Sequence, residues 1–399
     1  MMLAPELVAD GLVNLFGAGG ALVVAAEYHR ADPRGPVSGR IAFALRFVGV
    51  LFLVRALAWS TRSGLALTLV DWLASATPLV SLIVAEGLLR RHAPRWLKLG
   101  LCIGPVLVVI CSLAPFLPPA SRPLLLLADV VIGFSAVGLF LLFRNRGSLT
   151  PAENTTIRRL LIAFLFLAPM TVTDFRSIWP EMPVRLGAVG ALIVLYVGLG
   201  SGNVQSSIAA RLWDLGIFLA IAAVIAAGYM ATGAFLATAH HIQISAVGFC
   251  GMIAAALFAE ARGARAESNR MVAPLIEATS PAAFLDCLRR HPVIGDIHVL
   301  EGAALDHVRH PAFQALLVAH PVLSRAVSPW GFSVEDEGVE RALSLMSAHD
   351  ATHLMLLTHE PLRIIAFAVP PIAASARTDG EIQIARRIGQ LVYAGGAAS

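Results

Sequence analysis

Charge is scarce in this chain, and lysine is nearly missing. Only 14% of its 399 residues are Asp, Glu, Lys or Arg, against about 25% in an ordinary soluble domain. The single lysine, Lys98, falls between apolar stretches, which excludes Schiff-base chemistry on an intramembrane lysine. The four cysteines, Cys102, Cys111, Cys250 and Cys287, form no CxxC pair and no disulfide framework. No HExxH, GxSxG, Walker A or paired-glycine dinucleotide loop is present, so the expectation is a protein without an enzymatic motif and without a cofactor. Ten-residue alternation of apolar and polar residues is missing too, which argues against a strand-built barrel.

Long apolar runs fill the space those residues leave. Nine of them occupy the first two thirds of the chain: Leu7 to Ala26, Ile41 to Trp59, Leu65 to Leu89, Leu97 to Leu117, Leu124 to Phe143, Leu160 to Val172, Val184 to Leu199, Ile217 to Leu236 and Ile242 to Ala261. A helix needs about 20 residues to cross a hydrocarbon layer of about 30 Å, and mean hydropathy over the chain is +0.75. The expected fold is therefore an all-α polytopic transmembrane bundle of about nine spans, with the lipid bilayer as its first partner. The sixth run is short, but Thr150, Pro151 and Glu153 form a capping box with proline at the first helical position, so that helix is expected to start well before its apolar part. Glu6 and Asp10 stand where a cleaved signal peptide would carry basic residues.

Arginine sets the expected orientation. Loops one, three and five hold Arg30, Arg34 and Arg40, then Arg90, Arg91, Arg95 and Lys98, then Arg144, Arg146, Arg158 and Arg159. The intervening loops hold Arg62, then Arg122, then Arg176 and Arg185. By the positive-inside rule the rich loops are cytoplasmic, the N-terminus lies outside, and nine spans bring Arg262, Arg265 and Arg270 to the cytoplasmic face. The expected location is a cell membrane of the bacterial inner-membrane type.

From about Ala266 the composition becomes that of a soluble domain. Residues 266–399 carry 10 Arg and 14 Asp plus Glu, net −4, while residues 1–265 carry 20 basic and 12 acidic residues, net +8. An acidic tail does not suit nucleic acid. Two domains are expected, 1–265 in the membrane and 266–399 in the cytoplasm. The second reads as α/β. Ser280 with Pro281 caps a helix to Arg290, Ile294 to Leu300 is a strand, Pro311 opens a helix to His320, and Ser333 with Asp336 caps another to about Ala348. Thr352 to Thr358 and Leu362 to Val369 form a hairpin about His359, Glu360 and Pro361, and Ile382, Ala385, Ile388 and Val392 mark one face of a closing helix.

That last stretch, an apolar strand HLMLLTH, a tight turn, a second strand LRIIAFAV, a loop and a closing helix, resembles the C-terminal half of a GAF domain. A polytopic region followed by such a domain resembles the input half of some bacterial sensor histidine kinases. The resemblance covers the arrangement and about 45 residues. It implies a sensor whose GAF-like domain meets a cytoplasmic protein partner, or a second copy of the chain, through residues 266–399. The sequence departs from the family in lacking an NKxxxFDE-like cyclic-nucleotide motif, a confidently placed bilin cysteine and a GxG-containing ATP-binding region, so the kinase core is not expected.

Charges inside the apolar runs are the sharpest candidates for chemistry, because burying an ion there costs roughly 2.5 to 3.5 kcal/mol even on insertion scales. Arg55 lies just before the turn between the second and third runs and Asp71 a similar distance after it, so the two are expected to pair. Asp129 enters from the same side and Asp174 sits at the end of the sixth run. The four are read as an outward-opening ligand or proton site. Arg46 snorkels, and Glu86 with Arg90 makes an i,i+4 pair at the membrane edge. His240 and His241, in the loop before the last run, are pH-sensing candidates. His349 and His353, with Asp350 between them, and His307 with His310 have metal-ligand spacing in a helix, but a strand from Thr352 breaks the first pair and no metal is expected. Two function classes survive and a third trails. The first is a membrane signalling or regulatory protein. The second is a transporter or channel with an intramembrane acidic site. The third is an intramembrane enzyme using Asp71, Asp129 or the His240 pair.

Overall fold

The computed structural model describes residues 5–31, 36–61, 63–89, 91–113, 121–145, 149, 151–199, 208–231, 238–267, 275, 277–290, 294, 297–305, 310–325, 336–369 and 376–395. Calls on Thr150, His307, Ser333, Arg34, Arg62, Arg90, Arg146 and Arg270 fall outside them, as do the side chains of Glu153 and Arg265. The chain divides into two compact units. One comprises Met1–Arg144, Ile157–Gly200 and Ser206–Arg262, the other Asn145–Thr156, Ser201–Gln205 and Gly263–Ser399.

The first unit is helical: α1 (Pro5–Ala31), α2 (Pro36–Thr61), α3 (Gly64–Leu89), α4 (Arg95–Leu113), α5 (Ser121–Leu142), α6 (Pro151–Val172), α7 (Gly187–Ile193) running on into a π-helical turn (Val194–Leu199), α8 (Ile208–Ala231) and α9 (Thr238–Glu267). Seven of these, α1 to α5, α8 and α9, are long and apolar enough to cross a membrane. Large side chains such as Leu65, Ile103, Ile132 and Val224 stand on their outer surfaces. A soluble protein rarely exposes that much apolar surface, whereas a bilayer accepts it.

The sixth and seventh runs differ from the other seven. α6 does start at Pro151 and reaches 22 residues, yet its first half carries Arg158 and Arg159. The seventh element begins at Gly187 and totals 13 residues to Leu199, about 20 Å at 1.5 Å per residue, so it falls short of the hydrocarbon thickness. Nearly every one of its residues is buried. It sits in the bundle interior, where packing and not length decides what it can be.

Small residues let these helices approach one another. A Cβ on Gly17 would lie 2.9 Å from Ala188, and one on Gly20 2.5 Å from Leu192, so α1 meets α7 at glycine distance, the usual device of membrane helix packing. Proline interrupts α3 at Pro78, removing the hydrogen bond that the Ala74 carbonyl would accept. The Thr77 hydroxyl donates to that carbonyl instead, at 2.6 Å.

The second unit is a three-layer α/β/α sandwich. Its elements are α10 (Pro281–Arg289), β1 (Ile297–Glu301), α11 (Pro311–Ala319), β2 (Val322–Ser324), α12 (Glu337–Ala348), β3 (His353–Thr358), β4 (Arg363–Phe367) and α13 (Ala376–Gly395). The sheet order is β1-β4-β3-β2, every pair antiparallel. Side-chain alternation explains the layers. Leu354, Leu356, Ile364 and Ala366 pack against Phe313, Leu317, Leu345 and Met346 of α11 and α12, while Met355, Leu357, Ile365 and Phe367 pack against Phe284, Leu288, Ile382 and Ala385 of α10 and α13. With both faces covered, the strands read as continuous apolar runs.

The caps follow local chemistry. Ser280 accepts from the Ala283 amide at 3.2 Å, with Pro281 at the first helical position. Asp336 caps α12 through the Gly338 amide at 2.9 Å. His310, and no serine or aspartate, caps α11 through Nδ1. The three-residue strand β2 has no counterpart among the sequence-based expectations, being too short to show a period.

Phe284 is fully buried and meets Tyr393 edge-on, ring centroids 6.4 Å apart. Expressed alone, residues 270–399 are expected to give a soluble product with a cooperative melt, and Phe284→Ala to cost about 3–5 kcal/mol in chemical denaturation. A molten or insoluble wild-type fragment would show that the membrane unit completes its core.

Candidate functional site

Polar side chains of the helical unit gather where α1 begins, α2 ends, α6 ends and α7 begins. Arg55, about four turns into the apolar part of α2, forms an ion pair through Nη1 with Asp174 Oδ2. The other carboxylate oxygen of Asp174 accepts the Gly187 amide at 2.9 Å. Thr173 Oγ1 accepts the Leu186 amide at 2.8 Å. These are the opening N–H groups of α7, which Leu186 itself does not cap, so the residues just after α6 supply the cap that α7 lacks. A negative charge is also favoured at that positive helix end.

Asp10 of α1 is fully buried beside this pair. Its carboxylate takes Arg176 at 3.0 Å, the Arg185 amide at 2.9 Å and the Arg185 guanidinium at 3.4 Å. Asn14, one turn on, donates to the Asp10 carbonyl at 2.7 Å. The Arg185 guanidinium lies 4.0 Å from the centre of the Trp59 ring, a cation–π contact. Burial pulls Arg185 below the ordinary arginine value, and Asp10 opposes that shift. Arg176 also reaches the more exposed Glu6 at 3.4 Å.

The sequence-based pairing of Arg55 with Asp71 is thus corrected: the partner of Arg55 is Asp174, 119 positions away. Asp71, on α3, forms no hydrogen bond or ion pair among the described residues and feels Arg55 and Arg122 only at a distance. Asp129, on α5, has a buried oxygen without a partner there and lies against Gly104 of α4. The four-residue cluster therefore becomes a pair, Arg55 and Asp174, joined by Asp10, Arg176 and Arg185. Asp10 had a sequence signal, an acid four residues before Asn14 in an apolar run. The two arginines were counted only as loop charge.

His240 and His241 stand in the first turn of α9 and not in a loop; both are half-buried, and His240 Nδ1 has no partner among the described residues. Gln243, one turn on, donates to the Pro183 carbonyl at 2.9 Å, in the loop that carries Arg185. In the second unit His349 ends α12 and His353 lies in β3, with Asp350 between them at a φ of 48°. The helical spacing of the two histidines is therefore broken. His353 is buried, stacked on Phe367 at 5.3 Å and paired with Thr352 Oγ1 at 2.8 Å.

A second polar network occupies the opposite end of the bundle. Arg211 of α8 pairs with Glu260 of α9 and lies 4.6 Å from the Tyr196 ring. Tyr196 donates to Asp214 at 3.0 Å, and Tyr28 of α1 to the Leu199 carbonyl at 3.1 Å. At the membrane edge Glu86 is paired with Lys98 at 2.6 Å.

Between the two ends runs a cavity of about 150 Å³. It is bounded by α2 from Ile41 to Arg55, α3 from Thr77 to Leu88, α6 from Leu160 to Asp174 and the seventh element from Gly187 to Leu199, with Phe134 and Leu141 of α5. Its wall is apolar except at the Arg55–Asp174 end and at the hydroxyls of Thr77, Ser81 and Thr171.

Breaking a buried ion pair from one side costs about 3–5 kcal/mol. Asp174→Asn, which leaves a guanidinium that cannot discharge, is expected to lower the thermal stability of the detergent-extracted protein more than Arg55→Leu. The double variant should recover part of the loss, whereas Arg55→Leu with Asp71→Asn should be additive. Coupling to Asp71 in place of Asp174 would contradict the geometry. A methyl at Gly187 collides with the Asp174 carboxylate, so Gly187→Ala should reproduce much of the Asp174→Asn effect in the same melts. Compared with family models, with curated proteins and with solved structures, the chain matches none.

Proposed function

We propose that this is an integral membrane signalling protein, in which the helical unit receives a stimulus and the α/β/α unit presents the result to a cytoplasmic partner or to a second copy of the chain. One observation carries the reading: a buried network of three guanidiniums and two carboxylates reaches one end of a cavity, which two of its members, Arg55 and Asp174, line. Buried ions of this kind cost several kcal/mol each to place, and a bundle needing only stability gains more from apolar packing. The second unit's two-sided sheet with a closing hairpin and terminal helix supports the GAF-like reading. α9 extends 30 residues, from Thr238 to Glu267, past the apolar window that ends at Arg262, so its last turn already belongs to the second unit, which resumes at Gly263.

The reading includes nine membrane segments, with α6 and the short seventh element completing the seven long apolar helices. It puts the N-terminus outside and residues 266–399 in the cytoplasm of a bacterial-type inner membrane. His240 and His241 then face the outer side as pH-sensing groups, one turn from the Gln243 contact. A transporter or channel is the second reading. Asp71 and Asp129, acids inside the bundle without a bonded partner among the described residues, favour it.

Topology is checked by fusing a cytoplasm-only reporter at Ser399, where activity is expected. A silent fusion together with an active periplasmic reporter at that position would reject the orientation. The relay is checked by hydrogen exchange on the full-length protein in nanodiscs. Asp174→Asn is expected to change protection in β3, β4 and α12. Unchanged exchange there, with substrate-independent proton or ion flux in proteoliposomes, would favour the transporter reading.

A further inference from the structure

The cavity has the shape and the charge of a site for one particular class of molecule. Its wall follows α2 over 14 residues from Ile41 to Arg55, about 21 Å at 1.5 Å per residue, yet its volume is about 150 Å³, which in a compact form holds a guest of only benzene size. That volume is drawn out along the helices in a partly open, tube-like site, which suits an unbranched hydrocarbon chain better than a ring system. The tube ends at Arg55. That side chain is 8% exposed, and of its five donors Nη1 goes to Asp174 while Nε is buried without a partner among the described residues. A buried donor left unmade costs about 1–3 kcal/mol, so this end calls for an acceptor.

Charge points the same way. Arg55, Arg176 and Arg185 are largely buried, and among the described residues the buried carboxylates bonded to them are Asp10 and Asp174, Asp71 acting on Arg55 only at a distance. Glu6, the remaining anion, is mostly exposed. The buried part of the network therefore carries one positive charge in excess. Arginine presents a fork of donors that matches a carboxylate.

We infer that the cavity binds an amphiphile with a carboxylate head against Arg55 and an unbranched acyl tail running between α2, α3, α6 and the seventh element. This deepens the signalling reading, since it rests on the helical unit being a receptor and names the class of ligand. Such a ligand reaches the site from the surrounding membrane without crossing water. Its head supplies the missing acceptor and the missing negative charge in one group, and its tail replaces empty space by dispersion contacts.

The test uses the full-length protein in nanodiscs, with tetradecanoate and its methyl ester as probes and empty nanodiscs subtracted. Tetradecanoate should bind and raise the melting temperature, and the ester should bind on the order of tenfold more weakly or worse, the loss of a charged hydrogen bond. Arg55→Gln should reduce the acid to the affinity of the ester. Because that variant also disturbs the Asp174 pair, Ala191→Phe provides a second arm: it fills the tube and leaves Arg55 in place, and should weaken both probes by a similar factor. Equal binding of acid and ester by the wild type overturns the proposal, as does no binding of either. Binding indifferent to Ala191→Phe overturns it too, since the probe then sits elsewhere. The relay fails separately, when tetradecanoate binds as described but hydrogen exchange in residues 297–369 stays unchanged.

Discussion

Hydrocarbon offers no hydrogen-bond partner, so each polar group inside the helical unit must find its complement in the protein. The consequences run through the bundle at two scales. Single hydroxyls fold back on their own helix: Thr68 to the Gly64 carbonyl at 3.0 Å, Ser112 to Val108 at 2.7 Å and Thr171 to Leu167 at 2.9 Å. Charges have no such local solution and reach across elements. Asp10, Arg55, Asp174, Arg176 and Arg185 form a network that joins α1, α2 and the segment between α6 and α7. The same rule makes the seventh element intelligible. A 13-residue helix that would be too short to face lipid is stable where its first amides are capped by Thr173 and Asp174 and its last carbonyl is taken by Tyr28.

Much of the architecture was legible in the sequence because its signals are local. An apolar run names its own helix, and seven of the nine runs are helices of spanning length. Ser280 with Pro281 and Asp336 announce helix starts by side-chain chemistry that needs no tertiary context. The runs around Met355 and Ile365 announce strands covered on both faces. His310 caps α11 by an equally local contact, although histidine is an uncommon cap. Elsewhere a long-range effect decided: β2 exists as a strand because β3 offers it three ladder positions. α7 is shortened by its burial among other helices, which hydropathy along one segment does not register.

The polar site was half legible for the same reason. That an arginine and an aspartate sit in apolar runs is plain from the sequence, and so is the need to pair them. Which partner each takes depends on the helix that stands beside it, and sequence neighbours are a poor guide to that. Arg55 and Asp71 flank one turn, but Asp174 is the residue that the end of α6 delivers to α2, already oriented by the Gly187 amide. Arg176 and Arg185 read as ordinary loop charges. Their burial against Asp10 and Trp59 comes from the loop folding back over the start of α1.

The seventh element lies where everything in the helical unit meets. Its first amides hold Asp174, its carbonyl at Leu199 holds Tyr28, and Gly187, Ala191, Val194, Leu195 and Leu199 form one side of the cavity. Its second half is a π-helix, a winding found mostly at functional sites and less stable than an α-helix. Tyr196 in that half carries the contacts to Arg211 and Asp214, so the two polar networks at opposite ends of the bundle are tied to a single short helix with a loosely wound segment. In the proposed reading, a chain seated in the cavity touches this helix along its whole length and competes for the donor that holds one end of it. A change of winding in Val194–Leu199 would then move Tyr196 relative to Arg211 and its partner Glu260 on α9. In that reading the coupling would run through this one element, whose π-helical turn Val194–Leu199 touches both the cavity and Arg211, and would not need the bundle to move as a whole.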